Sequence, residues 1–370
     1  MLPVAFGFAP LHIPTFFYLD LIARGVFRPG GEYRNEGVSI VIPCHNEEAV
    51  IANTIKSILE DQGLNKEIIV VDDASTDRTF EIASSFKDVR VIRKESSPVG
   101  KWKALNVGVE AARNSIVCVM DADSRPEPNS IQRLIPYLRD PRVCAACGIV
   151  KVRNFDENWI TRLVAIEFAV ANYLQEKKSM IRNYLPWMPG TITVLRKDLA
   201  KFPPSLVEDA ELSGQLGEKG FDIVIDVGAV ATELAPTTFR AYLRQRSRWA
   251  RGGWALLKYY RNRRRLLNTL LNFFEKTQPV FAIGSWILFA YGLLVKWYIL
   301  DFVLTNLWIL SSATLTWLYL HSVRTFRFDV RRSALLGYFF LASILYLLVW
   351  FRSLFPLRGW QKTVREKDYG

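Results

Sequence analysis

Between residues 38 and 150, short apolar runs rich in β-branched residues alternate with stretches of helical spacing, and few folds accommodate this pattern. The runs predict strands at Val38–Ile42, Glu67–Val71, Val89–Ile92 and Ile116–Met120. The intervening stretches predict helices at Glu47–Asp61, Thr76–Phe86 and Lys101–Arg113. Strands that alternate with helices predict a mostly parallel sheet joined by right-handed crossovers. We therefore expect an α/β domain that continues to about residue 235, with a longer helical stretch over Asn158–Arg182.

Carboxylates follow two of these strands directly, at the edge of a parallel sheet where ligands bind. Asp121 and Asp123 come after the fourth strand, and an extended backbone there would place both side chains on the same side. Such a pair can hold a hard divalent cation, Mg²⁺ or Mn²⁺, and leave positions open for diphosphate oxygens. The alternative interpretation is an acidic turn of the kind that commonly follows a strand.

Asp73 ends the second predicted strand, and we expect its carboxylate to bind the base or ribose of a nucleotide. The alternative is a helix N-cap in a turn between strand and helix. Because Thr76 and Asp77 can cap that helix, Asp73 is free for another role.

Two further residues lie at predicted helix starts. Lys101 opens a helix, and a cation beside a helix N-terminus suits a diphosphate or an acidic loop. Asp209 precedes the helical stretch Ala210–Glu218, and a carboxylate near a reacting hydroxyl can accept its proton. The alternatives are a solvated lysine and a simple N-cap.

The net charge of +12 and the pI of about 9.5 indicate an anionic partner: nucleic acid, acidic lipid or a phosphate-rich substrate. The 50% share of hydrophobic residues argues against a free nucleic-acid binder. Ten Lys or Arg residues and no acidic residue occur between Phe239 and Arg265, interleaved with Tyr, Trp and Leu. This composition predicts basic amphipathic helices at residues 236–268 that lie in a membrane interface and contact lipid.

Gln245, Arg248 and Trp249 lie within one region of this basic stretch. A sugar could stack on the indole of Trp249 while Arg248 contacts phosphate. The alternative is an ordinary interfacial helix, in which Arg and Trp are common.

Apolar segments at about 278–299, 302–320 and 334–352 are each long enough to cross a bilayer. We expect about three transmembrane helices over residues 270–355, a membrane or interfacial segment at 1–30, and a basic tail at 356–370. Positive charge on both sides of the third segment conflicts with three simple crossings, so one segment is open to a re-entrant or interfacial interpretation.

The chain resembles the processive membrane glycosyltransferases of family 2, such as cellulose, chitin, hyaluronan and poly-N-acetylglucosamine synthases. The resemblance covers about residues 37–265 and rests on motifs that occur in the family's order. These motifs are Val38–Glu48, Asp73, Asp121 with Asp123, Glu208-Asp209, and Gln245-x-x-Arg248-Trp249. It implies a GT-A-type α/β domain at residues 37–235 on the cytosolic side of the cell membrane, with interfacial and transmembrane helices after it.

The resemblance also implies roles for individual residues. The donor nucleotide sugar would be bound by Pro43, His45, Glu47, Asp73, Lys101 and Asp121. Asp121 and Asp123 would hold the metal, and Asp209 would be the catalytic base. Gln245 and Arg248 would hold acceptor and diphosphate, and Trp249 would border the acceptor. His45 stands where many members have a tyrosine, and its ring could stack on the base in a similar way.

The implied reaction is transfer of a sugar, with inversion, from a UDP-sugar to a growing β-linked polysaccharide. One alternative is a glycosyltransferase with a lipid acceptor of the ceramide or polyprenol type. Another is an inactive subunit of a polysaccharide export complex, with protein partners. Nucleic acid is not an expected partner.

Overall fold

The computed structural model describes residues 29–94, 100–180 and 186–255, together with single positions at 291, 345, 348, 349, 351 and 352. These residues form one eight-stranded sheet in the order β3-β2-β1-β4-β7-β6-β8-β5. The strands are β1 (Val38–Cys44), β2 (Lys66–Asp72), β3 (Val89–Arg93), β4 (Ile116–Val119), β5 (Arg125–Pro126), β6 (Val143–Val152), β7 (Thr193–Arg196) and β8 (Asp222–Glu233). The domain is therefore α/β, as the alternating pattern predicts.

Seven α-helices lie in the described ranges, with short 3₁₀ helices at Ile135–Arg139 and Lys197–Leu199. The α-helices are α1 (Ile51–Leu59), α2 (Thr79–Ser84), α3 (Lys101–Ala111), α4 (Ser130–Leu134), α5 (Trp159–Ser179), α6 (Glu208–Glu218) and α7 (Phe239–Ala255). The predicted helices are present, and α1 and α2 begin a few residues later than the sequence pattern suggests.

Strands β1 to β4 form the parallel half of the sheet, in the order β3-β2-β1-β4. Every residue of β1 is buried, because helices cover both faces of this half. Alternate residues serve two separate cores: Val41 and Val71 pack on the side of α3, whereas Ile40 and Ile42 pack on the side of α1. Both faces must be apolar, which explains the continuous β-branched runs.

The second half of the sheet is mixed and was not predicted strand by strand. Strand β7 pairs antiparallel with both β4 and β6, β8 pairs parallel with β6, and the two-residue β5 pairs antiparallel with β8. Four of the seven strand pairs are parallel, so the expectation of a mostly parallel sheet holds through β1 to β4 and in the β6–β8 pair. The antiparallel β7 returns the chain to the sheet edge at which β4 ends.

The segments predicted to contact or cross the membrane fall almost entirely outside the described residues. This applies to residues 1–28, to the three apolar segments between 278 and 352 apart from the single positions, and to the tail at 356–370. None of the helices in the described ranges combines the length and apolarity needed to span a bilayer. The basic stretch is described as far as residue 255, as part of α7.

Gly108 allows α3 to lie close to the sheet, and its replacement tests this packing. A methyl group at Gly108 would overlap Val41 and lie 3.1 Å from Val71 Cγ2, and both valines belong to the buried core. We expect Gly108→Val to lower the free energy of unfolding by about 1–3 kcal/mol, because an overpacked core must shift side chains or backbone. Urea denaturation followed by circular dichroism measures this change.

Gly63 provides the matched control, because a methyl group there meets no atom closer than 3.5 Å. Gly63→Val should change the free energy of unfolding by less than about 0.5 kcal/mol, as is usual for surface substitutions. Equal effects at Gly63 and Gly108 would contradict the close helix–sheet packing.

Candidate active site

The ends of β1, β2 and β4 lie together at one edge of the sheet. Cys44, the last residue of β1, is opposite Asp72, the last residue of β2. The backbone N–H of Met120, just after β4, donates to the carbonyl of Val41. The loops that follow these strands therefore leave the sheet side by side, which is where ligands bind in α/β domains.

Hydrogen bonds join the loop after β1 to the loop after β2. Nδ1 of His45 lies 2.9 Å from the carbonyl oxygen of Asp73, and the backbone N–H of Glu47 donates to Thr79 Oγ1 at 2.7 Å. Pro43 is buried within β1, opposite Val71. The structure thus places Pro43, His45, Glu47 and Asp73, four of the residues predicted to bind the nucleotide sugar, in or next to these two joined loops, and their roles stay predictions.

Asp73 is buried, with 3% of its surface exposed, and its carboxylate forms an ion pair with Lys94. Lys94 directly follows β3 and was not among the predicted site residues. The only sequence signal for it is a basic residue at the end of the strand beside β2. Asp77, not Asp73, accepts the N–H of Thr79, the first residue of α2, at 3.0 Å. Asp73 is therefore not used to cap this helix.

A second group of charges surrounds Lys101, the first residue of α3. Its ammonium nitrogen lies 2.5 Å from Asp121 Oδ1 and 3.3 Å from Glu208 Oε1. Burial by itself lowers the pKa of Lys101, but the negative charges of Asp121, Glu208 and Asp209 outweigh it and raise the pKa above its ordinary value. Lys101 therefore stays positively charged and offsets the charge of these carboxylates.

Gly190 lies where three of these groups converge. A methyl group at Gly190 would lie 2.7 Å from Lys101 Nζ, 3.2 Å from Asp121 Oδ2 and 3.3 Å from Asp209 Oδ2. The missing side chain leaves a small space that is bordered by one ammonium and two carboxylates. Sequence reasoning did not assign a role to Gly190, since a glycine in a Pro-Gly-Thr run is also typical of an ordinary turn.

Asp209 lies in the first turn of α6, whose N-cap is Val207. Its Oδ1 accepts the N–H of Ala210 at 2.7 Å, so the carboxylate also contributes to the helix start. Burial, followed by the charge of Glu208, raises the pKa of Asp209 to about 6, against the opposing effect of Lys101. A carboxylate with this pKa can accept a proton near neutral pH.

Asp121 and Asp123 do not lie on an extended backbone, so that part of the prediction was wrong. The N–H of Ser124 donates to the carbonyl of Asp121 at 3.0 Å, which closes a turn immediately after β4. Asp121 turns toward Lys101, whereas Asp123 is 1% exposed and accepts the N–H of Leu234 at 3.4 Å. The chain must turn here because β4 ends at Val119 and the short β5 begins at Arg125.

The two aspartates nevertheless fit Mg²⁺ or Mn²⁺ in the chemistry of their donor atoms. In the part of the chain that the structure describes, no group of three or more His, Cys, Asp or Glu side chains is arranged to hold a metal ion. Mg²⁺ is commonly bound by one or two carboxylates, with water and substrate phosphate as the remaining ligands. Asp121 and Asp123 supply two carboxylates of this kind, and their joint binding of a metal ion stays a prediction.

Helix α7 carries Gln245, Arg248 and Trp249 and lies against the chain just before Asp209. Arg248 Nη1 donates to the carbonyl of Leu206 at 3.0 Å. A methyl group at Gly252, one turn further along, would overlap the side chain of Val207. These contacts bring Arg248 within a few residues of Asp209, as the prediction of a shared site requires.

Trp249 faces α5, and Gln245 precedes it by one helical turn. Gln245 is buried, and the ring of Trp249 stacks on Phe168 with centroids 6.4 Å apart. One side of α7, the described part of the basic stretch, therefore packs on the domain. Contact of its other side with lipid stays a prediction. The partners on α5 were not identified from the sequence, because α5 lies about 80 residues earlier in the chain.

Residues 39–201 match the model of the protein family described as Glycosyl transferase family 2. The chain is 30% identical over 260 residues to the probable glycosyltransferase YdaM of Bacillus subtilis (strain 168), which covers 64% of this chain and 61% of that protein. It is 28% identical over 231 residues to a poly-β-1,6-N-acetyl-D-glucosamine synthase of Staphylococcus epidermidis, which covers 60% of this chain and 56% of that enzyme. The chain thus spans about three-fifths of the length of these relatives.

Among solved structures, the fold is similar to that of the mannosyltransferase PcManGT from Pyrobaculum calidifontis in complex with GDP-Man and Mn²⁺. The TM-score is 0.60 at 18% identity, and the alignment covers 89% of this chain and 99% of that structure. At this identity the likeness concerns the fold. Together with the family match, it supports the expected GT-A-type α/β architecture.

Proposed function

Because residues 39–201 match the model of Glycosyl transferase family 2, we propose that the whole protein transfers a sugar from a UDP-sugar to an acceptor hydroxyl with inversion. The observation that carries this proposal is the convergence of Lys101, Asp121 and Asp209 around Gly190. Sugar transfer from a nucleotide donor needs a base for the acceptor hydroxyl and positive charge for the departing diphosphate. Both are present within a few ångströms of each other.

In this mechanism Asp209 accepts the proton of the acceptor hydroxyl as its oxygen attacks the anomeric carbon. The bond between that carbon and the diphosphate oxygen breaks, and the electron pair leaves with the nucleoside diphosphate. Lys101 and Arg248 supply positive charge where negative charge grows on the leaving group, which is electrostatic stabilisation of the transition state. A divalent cation held by Asp121 and Asp123 would neutralise more of that charge.

Asp73 is proposed to bind the base of the donor, with Pro43, His45 and Glu47 around it. Its buried carboxylate, which forms an ion pair with Lys94, offers oxygen atoms that can accept a hydrogen bond from the ring N–H of uracil. The name of the Staphylococcus epidermidis relative, poly-β-1,6-N-acetyl-D-glucosamine synthase, supports a polysaccharide product. We therefore propose that the acceptor is the end of a growing β-linked polysaccharide.

The membrane part of the proposal rests on the apolar segments within residues 270–355. In this proposal the α/β domain lies in the cytosol and the site lies beside α7. The acceptor would therefore be bound close to the membrane face. An acceptor lipid, of the ceramide or polyprenol type, suits this position as well and is the second candidate. The raised pKa of Asp209 and its position opposite Lys101 favour an enzyme over an inactive subunit of an export complex.

A panel of donors tests the reaction. Purified full-length protein is incubated with labelled UDP-Glc, UDP-GlcNAc, UDP-GlcA or GDP-Man and Mn²⁺, and products are separated by size and by lipid extraction. We expect transfer from one UDP-sugar into high-mass polymer, and a single glycolipid would instead favour the lipid acceptor. Asp209→Asn should lower kcat by about 10²–10⁴-fold, the usual contribution of a general base, with nucleotide binding retained. Unchanged transfer by this variant would rule out Asp209 as the base.

The pKa of Asp209 predicts a pH dependence. Its raised pKa, about 6, means that the carboxylate form needed to accept a proton is lost as the pH falls through 6. We expect kcat to be level on the alkaline side and to fall about tenfold per pH unit well below pH 6. Single-turnover rates between pH 4.5 and 8 measure this profile. A rate that rises as the pH is lowered would contradict a carboxylate base.

Gly190→Ala tests the space between the three charged groups. The added methyl group would meet only the ends of side chains, so the fold should tolerate it, but Lys101, Asp121 and Asp209 must move apart. We expect kcat to fall about 10- to 100-fold, as misplacement by about 1 Å commonly does, with an unchanged melting temperature. Gly63→Ala is the control, because it adds the same group at a distance from these charges. Full activity of Gly190→Ala would show that the space is not used.

A further inference from the structure

Arg246 lies between Gln245 and Arg248 and is buried against α5. Its Nη2 and Nε lie 2.6 Å and 2.9 Å from the same oxygen, Oε2 of Glu167. The other oxygen of Glu167 accepts the hydroxyl of Tyr242 at 2.6 Å. Both oxygens of this carboxylate are therefore bonded to α7, and only 10% of the Arg246 side chain is exposed.

The guanidinium of Arg246 also contacts two residues assigned to the acceptor side. Its Nη1 donates to Oε1 of Gln245 at 2.8 Å. Its Cζ lies 4.2 Å from the centroid of the Trp249 ring, which is close enough for a strong cation–π contact. Phe168 on α5 also stacks on Trp249, and Cζ of Arg246 lies 5.6 Å from the centroid of the Phe168 ring, so the three side chains form one cluster between α5 and α7.

These contacts restrict the orientation of both acceptor-side groups. Since the amide oxygen of Gln245 is bonded to Arg246, its amide nitrogen is the group left to donate to another partner. The guanidinium lies over the Trp249 ring and Phe168 stacks on that ring, so both neighbours restrict the orientation of the indole. A sugar that stacks on an indole and receives a hydrogen bond from an amide requires both orientations at once.

We propose that Arg246, itself oriented by Glu167, is a positioning residue that sets Gln245 and Trp249 for the acceptor sugar. The inference rests on the proposed glycosyl transfer and adds two residues to it, neither of which touches the reacting atoms. One guanidinium can bond to Glu167 and Gln245 and also lie over the ring of Trp249, because its donors lie in one plane and leave its face available.

Lysine cannot reproduce this arrangement, although it keeps the charge. Its ammonium is a point charge without a planar face, so it can pair with Glu167 but cannot also hold Gln245 and stack on Trp249. Arg246→Lys therefore separates positioning of the acceptor side from simple attachment of α7 to α5. Arg240, exposed on the same helix, provides the matched substitution Arg240→Lys.

The experiment measures initial rates with the donor that the wild type uses and a short β-linked oligosaccharide of the same sugar as acceptor. For Arg246→Lys we expect the acceptor KM to rise about 5- to 10-fold, the effect of one net hydrogen bond. The donor KM should change less than twofold, and Arg240→Lys should leave both values unchanged. Glu167→Gln should raise the acceptor KM in the same way, and the two substitutions together should be less than additive.

Several results would overturn the inference. These are an unchanged acceptor KM in Arg246→Lys, an equal rise in both KM values, or full additivity with Glu167→Gln. Absence of transfer by the wild type from every donor would instead overturn the proposed function, and the inference with it. If Arg246→Lys fails to fold, the acceptor KM of Glu167→Gln tests the inference by itself. Glutamine keeps the size of Glu167 and an oxygen that can accept the hydroxyl of Tyr242.

Discussion

The partly buried ammonium of Lys101 makes the ion pairs on which the arrangement of the site depends. Asp121, Glu208 and Asp209 come from two distant parts of the chain and carry like charges, which would repel one another in a partly buried site. Lys101 lies between them, 2.5 Å from Asp121 and 3.3 Å from Glu208. Its charge lets Asp121 and Asp209 face the same small space at Gly190. Asp209 nevertheless keeps a raised pKa, because burial and Glu208 outweigh the lysine. At neutral pH the protonated Lys101 therefore lies beside Asp209, whose carboxylate can accept a proton.

The sheet brings these groups together through its two different halves. The parallel half ends β1, β2 and β4 at one edge, which places the loops of Asp73 and Asp121 on either side of the loop that follows β1. The mixed half then returns the chain to the same edge, because β7 runs antiparallel to β4 and begins at Thr193, three residues after Gly190. Helix α7 completes the site from outside the sheet, since Arg248 bonds to the chain before Asp209 and Arg246 bonds to α5.

Much of this could be predicted because the local pattern carries it. Strands buried on both faces need continuous apolar runs, and β1, β2 and β4 contain them, whereas the edge strand β3 alternates between apolar residues and arginine. Carboxylates at the ends of such strands predicted Asp73 and Asp121, and both are at the expected edge. The extended geometry of Asp121 and Asp123 was wrong, because the chain turns at Ser124 to reach β5. Strands β5 to β8 carry weaker signals, since a mixed arrangement depends on pairing partners that are far away in the sequence.

The sequence by itself determined the α/β class and the order of the carboxylates along the chain, because these follow from local spacing and composition. Only the tertiary structure decided which charged groups meet. Lys94 pairs with Asp73, Gly190 leaves the space for Lys101 and Asp209, and Glu167 orients Arg246. Each of these contacts joins residues about 20 to 110 positions apart. Nothing in the neighbourhood of one residue indicates its partner at such a separation, because the partner is brought into contact only by the pairing of strands and the packing of helices.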